Sequence, residues 1–218
     1  MKNLINSFES QCRKWQEDFK GTDLNFVYNQ DLNALNPKKI KYILVADNPG
    51  KEEVKAQRYL IGSAGISTRS YFENALVKNF KEEVLVLNKT PVYTNITKDL
   101  EKYNDLISDS QIYMVNFICE LHKILKQPVI IMGYSNGLIK RKDKLVITNG
   151  VLAPFFHQFA KCVNNKEIKD YYFIKHFSRN MFYSSQEISI VDYEKNPANI
   201  LFMQGTYYRK MFEKNIKI

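Results

Sequence analysis

Four short apolar runs, separated by stretches with helical spacing, constrain this chain more than any other feature. They are Tyr42-Ile43-Leu44-Val45-Ala46, Val84-Leu85-Val86-Leu87, Val129-Ile130-Ile131-Met132 and Tyr171-Tyr172-Phe173-Ile174. Each is rich in β-branched or aromatic residues and lacks polar alternation. Strands of this kind are buried on both faces, the habit of parallel sheets covered by helices. The intervening segments supply the covering helices. Phe8, Cys12, Trp15 and Phe19 fall at three- and four-residue steps, which predicts an amphipathic helix over about residues 3–20. Helical patterns also run from about Ser67 to Phe80, where Ser67 or Thr68 can cap, and near Asp109–Leu125, Val151–Val163 and Pro197–Glu213. The expected fold is α/β: a three-layer sandwich with a central four-stranded, mainly parallel sheet flanked by helices. With no internal repeat and no Pro/Gly-rich linker, residues 1–218 read as a single domain.

Composition narrows the function classes. A chain of 218 residues buries roughly 70% of its unfolded surface and needs no covalent or metal staple. At 44% hydrophobic and 25% charged residues, it is neither a disordered tail nor a coiled coil. No apolar stretch has the length of a membrane span, and Met1-Lys2-Asn3-Leu4-Ile5-Asn6 lacks the apolar run of a signal peptide. The reading is of a soluble, cytoplasmic monomer with no membrane partner. Cys12, Cys119 and Cys162 form no CxxC pair, and His122, His157 and His176 form no HExxH or HxH pattern. Neither a metal nor a cofactor is expected. The net charge of +9 favours a polyanionic partner.

Ligands of parallel α/β sheets sit beyond the carboxyl ends of the strands. Those exits are polar here. The first run ends in Asp47-Asn48-Pro49-Gly50 and the second in Asn88-Lys89-Thr90-Pro91. The third ends in Gly133-Tyr134-Ser135-Asn136-Gly137 and the fourth in His176-Phe177-Ser178-Arg179-Asn180. Each is unremarkable as a turn; four at equivalent topological places point to a shared site.

These residues carry a resemblance. Val45-Ala46-Asp47-Asn48-Pro49-Gly50, continuing to Leu60-Ile61-Gly62-Ser63-Ala64-Gly65, resembles the first motif of the uracil-DNA glycosylase superfamily. Asn48 matches the catalytic asparagine of the mismatch-specific branch, and Asp47 the acidic residue of the iron–sulfur branch. Asn88 is similar to the asparagine that reads the flipped base, and His176-x-Ser178 to the His-Pro-Ser motif closing the site. The chain departs from the pattern at Ala46 (glycine), Leu60 (the stacking phenylalanine) and Phe177 (proline). It also lacks the four cysteines of the iron–sulfur cluster.

The resemblance implies hydrolysis of the N-glycosidic bond of uracil or a related damaged base in DNA. His176 would donate a hydrogen bond to uracil O2 as negative charge develops there. Either Asp47 or Asn48 would position water against the sugar carbon. Asn88 would pair with O4 and N3–H of the extruded base. With Leu60 at the stacking position, Tyr59 or Phe72 is the candidate replacement ring. Gly62, Ser63, Gly65 and Ser178 would hold phosphates ahead of a helix start, and Arg179 would fill the gap in the duplex or grip its backbone. The alternative is a non-catalytic nucleic-acid-binding protein on the same fold.

Overall fold

Alternating side chains on four adjacent strands divide the core into two. The computed structural model describes residues 1–94, 103–163, 167–178, 182 and 196–214. In chain order the elements are helix α1 (Lys2–Asp18), strands β1 (Asn25–Phe26) and β2 (Tyr42–Ala46), and helices α2 (Lys51–Ala56), α3 (Ser63–Ala75) and α4 (Phe80–Glu83). Strands β3 (Val84–Asn88) and β4 (Val92–Tyr93), helix α5 (Asn104–Leu125) and strand β5 (Val129–Met132) follow. The chain continues through β6 (Leu138–Arg141), β7 (Lys144–Ile147), α6 (Ala153–Cys162), β8 (Tyr171–Ile174) and α7 (Pro197–Glu213).

The central sheet has the order β3-β2-β5-β8, and every neighbouring pair is parallel. This is the expected sandwich. Ile43, Val45, Leu85, Leu87, Val129, Ile131, Tyr171 and Phe173 face a core built with α1, α5 and α6. Leu44, Ala46, Val84, Val86, Ile130, Met132 and Ile174 face the opposite core, with Tyr71 and Phe72 of α3. Helix α7 wraps the β8 edge, giving Tyr208, Met211 and Phe212 to the first core and Ile200 and Leu201 to the second. A Cβ at Gly205 would come within 2.6 Å of the Tyr172 Cβ, so α7 packs against β8 at a distance that only glycine allows there.

The chain leaves β2 toward β3 on one side and reaches β5 and β8 on the other. The order therefore reverses at the β2/β5 boundary, where an open α/β sheet leaves a crevice.

Two local expectations are corrected. The second helix begins at Ser63 and ends at Ala75 rather than running from Ser67 to Phe80, and a separate turn, α4, follows with Asn79 as its cap. Thr68 caps nothing; its hydroxyl bonds back to the Ala64 carbonyl at 2.7 Å within the helix. The basic stretch Lys140–Lys144 belongs to an antiparallel hairpin, β6–β7, whose Leu138 and Leu145 are buried. No helix among the described residues is long and apolar enough to cross a membrane.

Candidate functional site

A cavity of about 260 Å³ lies at the carboxyl ends of β2, β3 and β8. Asp47, Asn48, Leu60, Gly62, Ser63, Gly65, Asn88 and His176 all line it. Eight residues singled out from sequence thus meet in one place. Its size suits a single small ring better than a drug-sized ligand, for which pockets start at roughly 300 Å³.

Strand alternation explains the placement of Asn88. Val84 and Val86 point to the α3 side, and Asn88 follows them two residues on. Its side chain is 1% exposed, and its Nδ2 has no hydrogen-bond partner. A buried amide donor without a partner costs about 1–3 kcal/mol. A ligand carbonyl would repay that cost.

His176 is oriented by its own loop. The Ser178 backbone N–H, which can only donate, points at the imidazole Nδ1 at 3.0 Å, and the Ser178 hydroxyl lies 2.7 Å from the same atom. Nδ1 is therefore the acceptor, and the neutral ring carries its proton on Nε2. Burial lowers the His176 pKa below the ordinary histidine value, Asp47 opposing this and Lys89 adding to it. Phe177 holds the loop by packing: its buried ring stacks on Phe182 at 4.4 Å and leans on Tyr71 at 5.2 Å. The loop is held from below.

Asp47 lies at the switch point and is clamped. One carboxylate oxygen accepts from the Lys89 ammonium and the other from the Asn136 amide at 2.8 Å. Gly133, at φ +73°, passes so close that a Cβ there would lie 2.6 Å from the carboxylate. Lys89 itself is fully buried and also donates to the carbonyls of Met132 at 2.5 Å and Gly133 at 3.2 Å. Burial lowers its pKa, and Asp47 pulls the other way. Three acceptors surround the nitrogen, which calls for three N–H donors, so it is an ammonium. Asn88 and Lys89, adjacent in sequence, serve opposite sides of the sheet: one lines the cavity, the other ties β3 to β2 and β5.

The Asn48-Pro49-Gly50 turn is fixed by Glu53. Its carboxylate accepts the Gly50 N–H at 2.5 Å and the Ile61 N–H at 3.3 Å, and burial raises its pKa. It thereby joins the turn after β2 to the Leu60 strap, which lines the cavity. Leu60 in that strap adopts φ +52°, and its carbonyl accepts from Arg69 Nε at 3.0 Å. The strap runs directly over α3: a Cβ at Gly65 would sit 1.9 Å from the Leu60 oxygen. Gly65→Ala is expected to destabilise by roughly 1–3 kcal/mol through overpacking against backbone. Thermal unfolding checks it, at about 2–4 °C per kcal/mol for a chain this long.

Other sequence expectations fare differently. Tyr59 and Phe72 do not line the cavity. Tyr59 is fully buried with its hydroxyl on the Val27 carbonyl at 2.5 Å, and Phe72 packs edge-on against Tyr42 and Phe80 in the core. Their aromatic faces are spent on packing, which corrects their reading as stacking rings. Ser178 is engaged with His176 rather than with the α3 end of the cavity. Gly62–Gly65 form the first turn of α3, whose N–H groups have no intrahelical acceptor. Arg179 lies outside the described residues. Lys89, Gly133, Asn136 and Glu53 were not singled out from sequence as site residues. Lys89, Gly133 and Asn136 left a signal only as members of the polar strand exits; Glu53 left none.

A second, more open cavity of about 490 Å³ adjoins the first and shares Asp47, Asn48, Gly50, Lys51 and His176 with it. Compared with models of known protein families and with curated proteins, the sequence matches none.

Proposed function

We propose that this chain is a base-excision glycosylase that hydrolyses the N-glycosidic bond of uracil, or a related damaged base, in DNA. One observation carries the reading. The unpartnered Asn88 Nδ2 and His176, with its proton on Nε2, line the same ring-sized cavity. Such a pair suits a base with two carbonyls: Asn88 donates to O4, and His176 Nε2–H donates to O2.

The chemistry follows from where charge develops. As the C1′–N1 bond lengthens, the sugar becomes positive and the base negative, most of it on O2. His176 meets that oxygen as a neutral donor, electrostatic help of a kind worth about 2.7–4 kcal/mol. The Asp47 carboxylate, clamped at the cavity wall, favours the cationic sugar. With both oxygens already accepting fixed donors, Asp47 is a poor carrier of water. Asn48 is the better candidate to orient the nucleophile through its amide oxygen, the proton then passing to solvent. The first turn of α3 and the +9 charge favour the phosphates, whose binding offsets the few kcal/mol of base extrusion.

Purified protein incubated with a uracil-containing oligonucleotide should yield strand scission after alkali treatment. Asn88→Ala is expected to lower kcat/KM by about 10- to 100-fold, the worth of one buried hydrogen bond. The same variant should melt no lower than the parent, because it deletes a donor that the free protein leaves unpaired. No scission on single- or double-stranded substrate at stoichiometric protein would remove uracil as the substrate.

A further inference from the structure

The second cavity has nearly twice the volume of the first, and the two meet at Asp47, Asn48, Gly50, Lys51 and His176. Of these, the proposed function sets Asp47 and Asn48 at the sugar and His176 at the adjoining O2 of the base. A strand whose target base occupies the small cavity must leave the sugar in some direction, and the large cavity opens at that point. Its remaining wall is Pro49, Tyr93, Thr94, Ser135, Asn136 and Ser178: three aliphatic hydroxyls and an amide that suit sugar and phosphate, and one half-buried aromatic ring. Tyr93 is carried on a strand, β4, paired with Asn25 in β1, so its position is set by a ladder. Asn136 is held by Asp47. The chamber therefore has fixed walls on both sides.

We propose that this chamber holds the nucleotide adjoining the target on the same strand, with its base against Tyr93. The inference rests on the glycosylase reading and deepens it. A neighbour seated here is unpaired from any complementary strand, so the substrate class is single-stranded or locally opened DNA. Base–aromatic stacking contributes at a level that alanine substitution would reveal.

Binding is read by fluorescence anisotropy on labelled single-stranded oligonucleotides. Each carries one 2′-fluorinated deoxyuridine, whose fluorine disfavours the cationic sugar and slows cleavage. The flanking residue on the 5′ or the 3′ side is either a thymidine or an abasic tetrahydrofuran. For the wild-type protein, loss of the flanking base on one side only is expected to weaken Kd by roughly 5- to 100-fold. Tyr93→Ala should lose a similar factor with the intact neighbour and little with the abasic one, while Tyr93→Phe keeps the discrimination. Equal affinities for intact and abasic neighbours in the wild type would overturn the proposal without any variant, as would a Tyr93→Ala loss of equal size on both ligands. Uracil excision without neighbour dependence leaves the glycosylase reading intact and removes the chamber. Neighbour dependence without excision does the reverse, and no binding to any oligonucleotide removes both.

Discussion

Replacing Lys89 by methionine is expected to destabilise the protein by about 3–5 kcal/mol, the cost of breaking a buried ion pair from one side. The substitution preserves length and apolar stem, so lost packing contributes little. What remains is the Asp47 carboxylate without its cation and the Met132 and Gly133 carbonyls without their donor. A loss of this size lowers Tm by roughly 6–20 °C at 2–4 °C per kcal/mol. The double variant Asp47→Asn with Lys89→Met should recover part of the loss, because it removes the stranded charge as well as its partner. A cycle of the two single variants and the double variant measures the coupling. If Lys89→Met alone costs under 1 kcal/mol, the clamp at the switch point is not structural. The expectation extends to function: with Asp47 held by Asn136 alone, the cavity wall beside Asn48 and His176 changes.

The contrast between Lys89 and the strands around it shows what a sequence discloses. Tyr42–Ala46, Val129–Met132 and Tyr171–Ile174 are legible to the residue, since burial on two faces leaves an uninterrupted apolar run. Their polar exits are legible for the same reason: where the run stops, the interior stops. The burial of Lys89 depends on carbonyls more than forty residues away, and lysine in isolation reads as exposed. The start of α3 was hidden because Gly62-Ser63-Ala64-Gly65 looks like a turn, whereas Gly65 is needed for the Leu60 strap to pass. Tyr59 and Phe72 failed as stacking rings for a related reason. An aromatic residue near a motif has no mark telling pocket from core, and here the core took both. The β6–β7 hairpin went unread because Lys142-Asp143 lacks the glycine or asparagine that signals a two-residue turn; Lys142 adopts φ +54° without either.

His176→Ala should lower kcat for uracil excision by about 100- to 1,000-fold, as removal of one preorganised donor to a developing oxyanion does elsewhere. Binding of uncleaved substrate should change far less, because the bond strengthens only as negative charge reaches O2. The pH profile offers a separate check. In the proposed reaction the ring acts as the neutral form, with Nδ1 accepting from Ser178; protonation there would break that bond. Burial sets the folded pKa below the usual 6.5, with Asp47 and Lys89 as opposing charged neighbours. Activity from His176 should therefore hold through neutral pH and fall only as acidity passes the lowered folded value. Stability has the matching sign. In the window from about pH 6.5 down to that value, the unfolded chain binds the proton and the folded one does not, so the His176 contribution is full above the window and lost on descending through it. In His176→Ala the slope of stability against pH in that window should flatten. An unchanged slope together with unchanged kcat would show that this imidazole neither titrates with folding nor meets the leaving base.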